Sequence, residues 1–290
     1  MKSQIKVAVT GGSGFIGTEL LRSLINNNVK TVSLQRTNIN KIAVDIHRFD
    51  LSNLNDSELS ILSDIDVVVH TAALVHKDQL NEKEYLDLNF ESTKLLFEKC
   101  KKFSVSKFIF LSTMSVYGLT SSTSKIDIKS LVNPITNYAK SKLLSEQYLL
   151  SQKSSIKVSI IRLPLVYGVN APGNFGDLEQ LALRPIPLPF LRVKNKRSMV
   201  NVAVLAKVLT RISIYIEDSL GLHLLCEEIP FSTEFILKKI RQDNGVPIRL
   251  FFFPKFLIKF FLKLFGKQKL YERLFEDLEF TNTIKLPHKD

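Results

Sequence analysis

Tyr138 and Lys142 stand four residues apart in a segment that reads as a helix, so their side chains share one face. A free phenol ionises near pH ~10, and an adjacent ammonium favours the phenolate and lowers that value. Such a pair can take a proton from a carbinol, or return one to a carbonyl oxygen, near neutral pH. By itself a Tyr-x-x-x-Lys spacing is common and usually describes a solvated helix face. It gains weight from the upstream segment Leu111-Ser112-Thr113-Met114-Ser115-Val116-Tyr117-Gly118, where an apolar strand ends in hydroxyl residues. Residues just past the C-terminal ends of parallel strands line the ligand crevice of an open sheet. Thr113 is therefore placed to hydrogen-bond the same oxygen as Tyr138.

A second chemical feature lies at the start of the chain, in Thr10-Gly11-Gly12-Ser13-Gly14-Phe15-Ile16-Gly17. Gly12, Gly14 and Gly17 fit GxGxxG, and Gly11, Gly14 and Gly17 fit GxxGxxG. The glycines allow a tight turn, a close backbone approach to a pyrophosphate, and close packing of helix on strand. The helix that opens at Phe15 and Ile16 then offers free amides and a positive dipole to phosphates. Bare glycine spacing is weak evidence. Here it follows the apolar run Ile5–Val9 and opens a helix, which is the context the motif requires. An acid about 20 residues further on commonly holds the ribose of NAD. The second strand ends instead at Gln35-Arg36, and Arg36 can face a 2′-phosphate. The cofactor reading is NADP(H) or NAD(H), leaning to NADP(H).

These residues need a scaffold of alternating strands and helices. Apolar, β-branched runs predict strands at Ile5–Val9, Thr31–Leu34, Asp66–His70, Lys107–Leu111 and Ile156–Ile161. Helical patterns fall at Phe15–Ile25, Tyr85–Lys101 and Thr136–Leu150. That alternation implies a Rossmann-type, doubly wound parallel sheet of the α/β class. The pattern changes after Gly168. Ala171–Pro189 carries four prolines and reads as a loop-rich excursion. Ser198–Val202, Val204–Tyr215 and Gly221–Leu225 resume as strand, helix and strand. The expected organisation is a dinucleotide-binding domain over 1–168, with 198–226 returning to its sheet. A smaller, mostly helical substrate region spans 169–197 and 227–290.

The bulk properties fit an ordinary globular protein. The 290 residues are 45% hydrophobic and 23% charged, so disorder is excluded as a first reading. Cys100 and Cys226 form no paired motif, which argues against a disulfide framework or a zinc site and for a cytoplasmic location. No signal peptide precedes the first strand, and no run reaches the roughly 18 apolar residues of a membrane span. A net charge of +12 favours anionic partners but does not choose among them. No nucleic-acid motif is present. His70 and His76 lack partners at metal-ligand spacing and read as a buried or solvated pair.

Taken together, TGGSGFIG, the Ser112–Gly118 segment and Tyr138-Ala139-Lys140-Ser141-Lys142 resemble the extended short-chain dehydrogenase/reductases, which include nucleotide-sugar epimerases, dehydratases and ketoreductases. The resemblance runs from about residue 5 to residue 206. It implies that Tyr138 is the acid/base, that Lys142 holds the nicotinamide ribose, and that Thr113 takes the place of the family's catalytic Ser or Thr. It implies an adenine contact at Asp50 and Leu51, and small residues against the cofactor at Ala72 and Ala73. Pro164 and Val166, in Arg162–Gly168, are expected beside the nicotinamide. Asn174 and Arg197 are expected at the substrate, with Arg197 at a diphosphate. A homodimer through the helices at 85–101 and 136–150 is the family's usual assembly.

Sugar dehydratases of that family carry Asp-Glu directly after the catalytic Thr. Met114 and Ser115 occupy those places, and neither can remove a hydroxyl by acid–base chemistry. The remaining activities are those of a C4 epimerase or a 4-ketoreductase on a nucleotide-diphosphate sugar, UDP-linked in the first place. The Pro187–Phe190 stretch, followed by Asn195–Ser198, resembles that of small 4-epimerases and 4-ketoreductases of UDP-linked acetamido-deoxy-sugars. The Gln35-Arg36 pair leans the reading slightly to a reductase of UDP-4-keto-6-deoxy-HexNAc, with a UDP-glucose or UDP-N-acetylglucosamine 4-epimerase as the alternative. A non-catalytic dinucleotide-binding sensor or scaffold is the alternative from another class. Its support is an irregular C-terminal region with no Trp, and an Asn and an acid missing at Leu165 and near Ala203.

Residues 251–265 read FFFPKFLIKFFLKLF, with Lys255, Lys259 and Lys263 recurring every four residues. This basic amphipathic pattern suits either a helix packed on the substrate region or weak contact with an anionic membrane. The packed helix is the favoured expectation.

Overall fold

Seven strands form one parallel sheet in the computed structural model, which describes residues 4–36, 42–50, 60–75 and 81–286. The strands are β1 (Lys6–Thr10), β2 (Lys30–Gln35), β3 (Asp45–Arg48), β4 (Val67–His70), β5 (Lys107–Thr113), β6 (Lys157–Leu163) and β9 (Gly221–Leu224). Their order is β3-β2-β1-β4-β5-β6-β9, and every neighbouring pair is parallel. The chain winds outward from β1 through β2 to β3, then crosses back to β4 and winds the other way. The two directions part between β1 and β4, where a parallel sheet opens a crevice at its C-terminal edge. A separate two-stranded parallel pair joins β7 (Leu165–Tyr167) to β8 (Met199–Asn201).

Successive residues of a strand face opposite sides, and both sides of this sheet are covered. Val7 and Val9 pack with Leu20 and Leu24 of α1 (Phe15–Asn26) and with Leu205 and Leu209 of the helix Val202–Ile214. Ala8, Val68 and Phe108 face the other way, toward Leu96, Phe97 and Leu149. Those three come from α3 (Ser92–Lys102) and α4 (Asn137–Ser151). The helix expected over 85–101 is interrupted. A short α2 (Glu82–Tyr85) passes into one π-type segment, Leu86–Glu91, before α3 begins. Such widened turns recur at functional sites.

The excursion expected after Ala171 contains a helix, α5 (Gly173–Leu183). Pro172 precedes it as N-cap and Pro185 follows it, so the prolines bracket the helix and do not break it. Phe175 and Ala182 of α5 join Leu237 of α7 (Thr233–Asp243) in a third core, with Tyr271 and Phe275 of α9 (Gln268–Phe275). The helix Val202–Ile214 is α6. Between α7 and α9 lies α8 (Lys255–Leu264), in which no residue is buried. Only part of the packed-helix expectation is met there: Ile258 and Leu262 lean on the third core, and the other face stays in solvent.

Two buried cations tie elements together through carbonyls. Lys107, at the start of β5, donates to Ile212 O (2.8 Å), Tyr215 O (3.4 Å) and Asp218 O (2.7 Å), closing the C-terminal end of α6. Arg241, fully buried in α7, donates from three nitrogens to the carbonyls of Ala182, Arg184, Ile186, Pro247 and Arg249. The C-terminal strip then returns to the sheet. Leu278 pairs with Lys196 and Ser198, Thr283 pairs with Leu224, and Ile284 enters the first core.

Candidate active site

The glycine turn sits at the crevice between β1 and β4. Gly11 has φ +69°, and a Cβ there would lie 2.9 Å from the backbone of Ala72, just past β4. A Cβ on Gly17 would lie 2.2 Å from Gly11 O. The turn is therefore folded against both its own helix and the next strand, at contacts a side chain would block. Gly14 is the N-cap of α1 and makes no side-chain cap, so the first amides, at Phe15 and Ile16, open on the crevice. This cradle fits a dinucleotide pyrophosphate. Ala72 and Ala73 flank it, half-buried.

At the far end of β2, Gln35 is buried against Ser33, and Arg36 beyond it is exposed. Asp50 follows β3 and is half-buried, beside Phe49, whose amide donates to Gln35 O. These residues end on the β2–β3 side of the β1 turn. Leu51 and His76 lie outside the described residues.

Thr113 ends β5 and caps the 3₁₀ turn Met114–Tyr117, accepting from the Ser115 amide at 3.1 Å. Tyr138 stands in the first turn of α4, which Thr136 caps by accepting from Ala139 N. Lys142, one turn on, is 3% exposed, and its Nζ lies 4.2 Å from the centre of the Phe110 ring on β5. Burial brings the Lys142 amine down to about 7, against an upward pull from Glu146. Burial, with Tyr85 beside it, pushes the Tyr138 phenol above its ordinary range. The Lys142 ammonium does not lower Tyr138 as its i+4 spacing predicts, because desolvation of the phenol is the larger effect.

The loop after β4 is held by a residue that no sequence motif marks. Asn89, in the π-type segment, accepts from Leu74 N (2.8 Å) and donates to Leu74 O (3.1 Å) and to Ser141 Oγ (3.2 Å). It thus links the loop bearing Ala72 and Ala73 to the residue before Lys142. Its one signal in the sequence is a polar side chain on the inward face of a predicted helix.

Beneath Thr113 and Lys142 runs a buried ionic network. Glu146 accepts from Arg162 Nε (3.0 Å) and Nη2 (2.6 Å), and also from the Ser112 hydroxyl. Arg162 Nη1 donates to the Tyr117 hydroxyl at 2.8 Å, which donates to Asp127 O at 2.9 Å. Side chains from β5, the 3₁₀ turn, α4 and β6 are locked together there. The recurrence of Glu146 four residues after Lys142 is the trace of this in the sequence.

Pro164 and Val166 follow β6, half-buried, and Val166 packs on the first core. Asn174 and Arg197 meet at α9 instead. Arg273 Nη1 donates to Asn174 Oδ1 at 3.4 Å, and Arg197 Nη1 donates to the carbonyls of Thr120, Glu272 and Glu276. Burial, with Arg273 nearby, brings Arg197 down to about 10. His70 is a core histidine: Nδ1 lies 2.7 Å from Thr10 Oγ1 and Nε2 lies 3.0 Å from Thr93 Oγ1. Burial and Lys142 hold it down at about 3.

Residues 7–184 match the model of the NAD dependent epimerase/dehydratase family. The chain is 31% identical over 282 residues to a UDP-glucose 4-epimerase of Vibrio cholerae, covering 92% of this chain and 84% of that one. It shares the fold of the UDP-N-acetylglucosamine 4-epimerase from Bacillus cereus, with a TM-score of 0.72 at 24% identity over 86% of this chain and 87% of that one. It also shares the fold of MoeE5, solved in complex with UDP-glucose and NAD, with a TM-score of 0.71 at 22% identity over 95% and 88% of the two chains.

Proposed function

Because the chain belongs to the NAD-dependent epimerase/dehydratase family, the extended short-chain dehydrogenase/reductases, we propose that it inverts C4 of a UDP-linked sugar with a tightly held nicotinamide dinucleotide. One observation carries the reading. The glycine cradle at the β1/β4 crevice, Thr113 at the end of β5 and Lys142 above Phe110 converge on the C-terminal edge of adjacent strands. The similarity to the Vibrio cholerae epimerase over nearly the whole chain supports the sugar and the carbon.

A bound nicotinamide would accept and return the hydride. The chain's own residues handle the proton and the orientation. Thr113 Oγ1 and the Tyr138 hydroxyl hold the C4 oxygen. The Tyr138 phenol, pushed up further by burial, carries its proton at neutral pH, which suits giving a proton to a C4 keto oxygen. Taking a proton from a C4 hydroxyl draws on the Lys142 ammonium, whose charge stabilises the phenolate. Glu146 works to keep that charge. Gly11, Gly14, Phe15, Ile16 and Gly17 would bind the pyrophosphate, Ala72 and Ala73 the flat face of the cofactor, and Asp50 the adenosine. Pro164 and Val166 would flank the nicotinamide. Asn174, on α5, and Arg197, before β8, would meet the nucleotide end of the substrate beside α9.

A 4-ketoreductase is the second reading, and Arg36 favours it. An exposed guanidinium with no acid at the end of β2 suits a 2′-phosphate, and reductases consume NADPH. The test is to incubate the protein with NAD and UDP-glucose or UDP-N-acetylglucosamine and follow C4 inversion by NMR. NADPH loss is followed in parallel with a UDP-4-keto-6-deoxy-HexNAc. Inversion without net cofactor consumption supports the first reading, and stoichiometric loss of NADPH the second. Tyr138→Phe is expected to keep cofactor binding and lose turnover at least a hundredfold, the lower end of proton-transfer contributions at about 10²–10⁴. Wild-type turnover in that variant would refute the assignment of Tyr138.

A further inference from the structure

The helix α8 is apolar on two opposite faces, and the protein covers one of them. Ile258 and Leu262, one turn apart, lean on the third core. Phe256, Phe260 and Leu264, also one turn apart, point away and are 71%, 62% and 68% exposed. Phe265, at the C-cap, is 71% exposed, and the extended segment leading into the helix presents Phe251, Phe252 and Phe253 to solvent as well. Outside the side that carries its lysines the helix is wholly apolar, yet no residue of it is buried. So large a run of exposed phenylalanines marks a surface that meets something apolar.

The charges around it say what. From Gly245 to Tyr271 the chain carries six cations, Arg249, Lys255, Lys259, Lys263, Lys267 and Lys269, and no carboxylate. Lys259 leans toward α9, 3.2 Å from Glu276 and over the Tyr271 ring, while staying half in solvent. Lys255 and Lys263 stay exposed beside the phenylalanines. A second copy of the chain laid on this face would set two such cationic segments against each other. A surface that is apolar below and anionic above satisfies both the rings and the lysines. The helix has 10 residues, about 15 Å at ~1.5 Å per residue, half of the ~30 Å hydrocarbon thickness. It can lie in a membrane interface but not cross it, and no described helix of the protein is long and apolar enough to span.

We propose that residues 251–265 dock the protein on an anionic lipid surface, with Phe256, Phe260 and Leu264 inserted among the acyl chains and Lys255 and Lys263 at the headgroups. Because α8 packs on α9, and α9 holds the Arg273–Asn174 contact and the carbonyls bound by Arg197, docking would set the region of Asn174 and Arg197 one helix away from the lipid.

The test is flotation of the full chain with vesicles of phosphatidylcholine alone and of phosphatidylcholine with phosphatidylglycerol. Two double variants accompany the wild type, Phe256→Ser/Phe260→Ser and Lys255→Gln/Lys263→Gln. All four positions are exposed, so both variants are expected to fold. The wild type is expected to float only with phosphatidylglycerol and to be released at roughly 1 M salt, where the Debye length is ~3 Å. The lysine pair is expected to lower the partition coefficient about 25-fold, roughly fivefold for each charge removed, and the phenylalanine pair to abolish flotation. Three results would overturn the proposal: no flotation of the wild type with either vesicle, equal flotation with both, or flotation indifferent to both variants. Sedimentation velocity gives an independent check. A dimer that falls to monomer in the phenylalanine variant would make this face a contact between copies and overturn the proposal too.

Discussion

Replacing Glu146 by Gln tests the network that holds the candidate site. Glu146 and Arg162 have side chains 2% and 4% exposed, and the carboxylate accepts from two guanidinium nitrogens and from Ser112. An amide of the same shape keeps some hydrogen bonds but leaves the Arg162 charge uncompensated away from water. Breaking a buried pair by removing one partner costs about 3–5 kcal/mol. That is a large share of the roughly 5–15 kcal/mol by which domains are stable, and for a chain of this size it lowers Tm by on the order of 10 °C. The double variant Glu146→Leu/Arg162→Met removes both charges and is expected to regain most of the loss, since apolar replacement of a whole buried pair is often neutral. Stability would be measured by urea unfolding and by thermal circular dichroism for Glu146→Gln, for the single variants Glu146→Leu and Arg162→Met, and for the double. A coupling energy of at least ~2 kcal/mol is expected from the cycle. A Glu146→Gln variant within ~1 kcal/mol of wild type, or a double variant as unstable as the sum of the singles, would refute the reasoning. The double variant also serves as a functional readout. Without Glu146 the upward pull on Lys142 is gone, so its proton is lost at a pH further below about 7. Any activity limb that depends on the charged lysine then moves to lower pH even where stability is restored.

Two further expectations concern stability. Lys107→Met leaves the carbonyls of Ile212, Tyr215 and Asp218 without their shared donor, at about 1–3 kcal/mol for each buried group left unsatisfied, so a total loss of at least ~2 kcal/mol in chemical denaturation is expected. A loss below ~0.5 kcal/mol would mean that water replaces the amine. His70 is held at about 3 in the folded protein against 6.5 when free. Between those values the unfolded chain binds the extra proton, so stability present above about 6.5 is lost as pH falls toward 3, by about 1.4 kcal/mol per pH unit. His70→Gln is expected to flatten the acid limb by one proton, and an unchanged slope would show that His70 titrates normally.

The sheet was readable where strands are buried on both faces. Val67–Val69 and Phe108–Leu111 are short unbroken apolar runs whose β-branched and aromatic content favours strand over buried helix. Edge strand β3, Asp45–Arg48, reads Asp-Ile-His-Arg and carries no such signal, because one neighbour and a half-covered face place little demand on its side chains. Helix α5 was hidden by its prolines, which cap it from outside. The site was legible to the extent that its chemistry depends on spacing: Gly11, Gly14, Thr113, Tyr138 and Lys142 declare themselves by type and interval. The Glu146–Arg162 pair and Asn89 do not, since a charge or an amide inside a helix or strand shows its partner only when distant segments meet. The same limit explains Tyr138. Its neighbour at i+4 was visible in the chain, but the burial that outweighs that neighbour comes from elements far away in sequence.

The returning strip at 278–284 bears on how the protein is made. Ile284 fills a place among Val7, Leu20, Leu209 and Ile212, and Thr283 pairs with Leu224, so the sheet laid down by the first residues is sealed by nearly the last described ones. During synthesis, which adds about 5–20 residues per second, β1, α1 and α6 leave the ribosome many seconds before the side chain that closes their shared face. Through that interval the nascent chain carries an open apolar seam along its first core. Its demand for chaperone protection would be set by that wait, and it would rise wherever translation slows after residue 225.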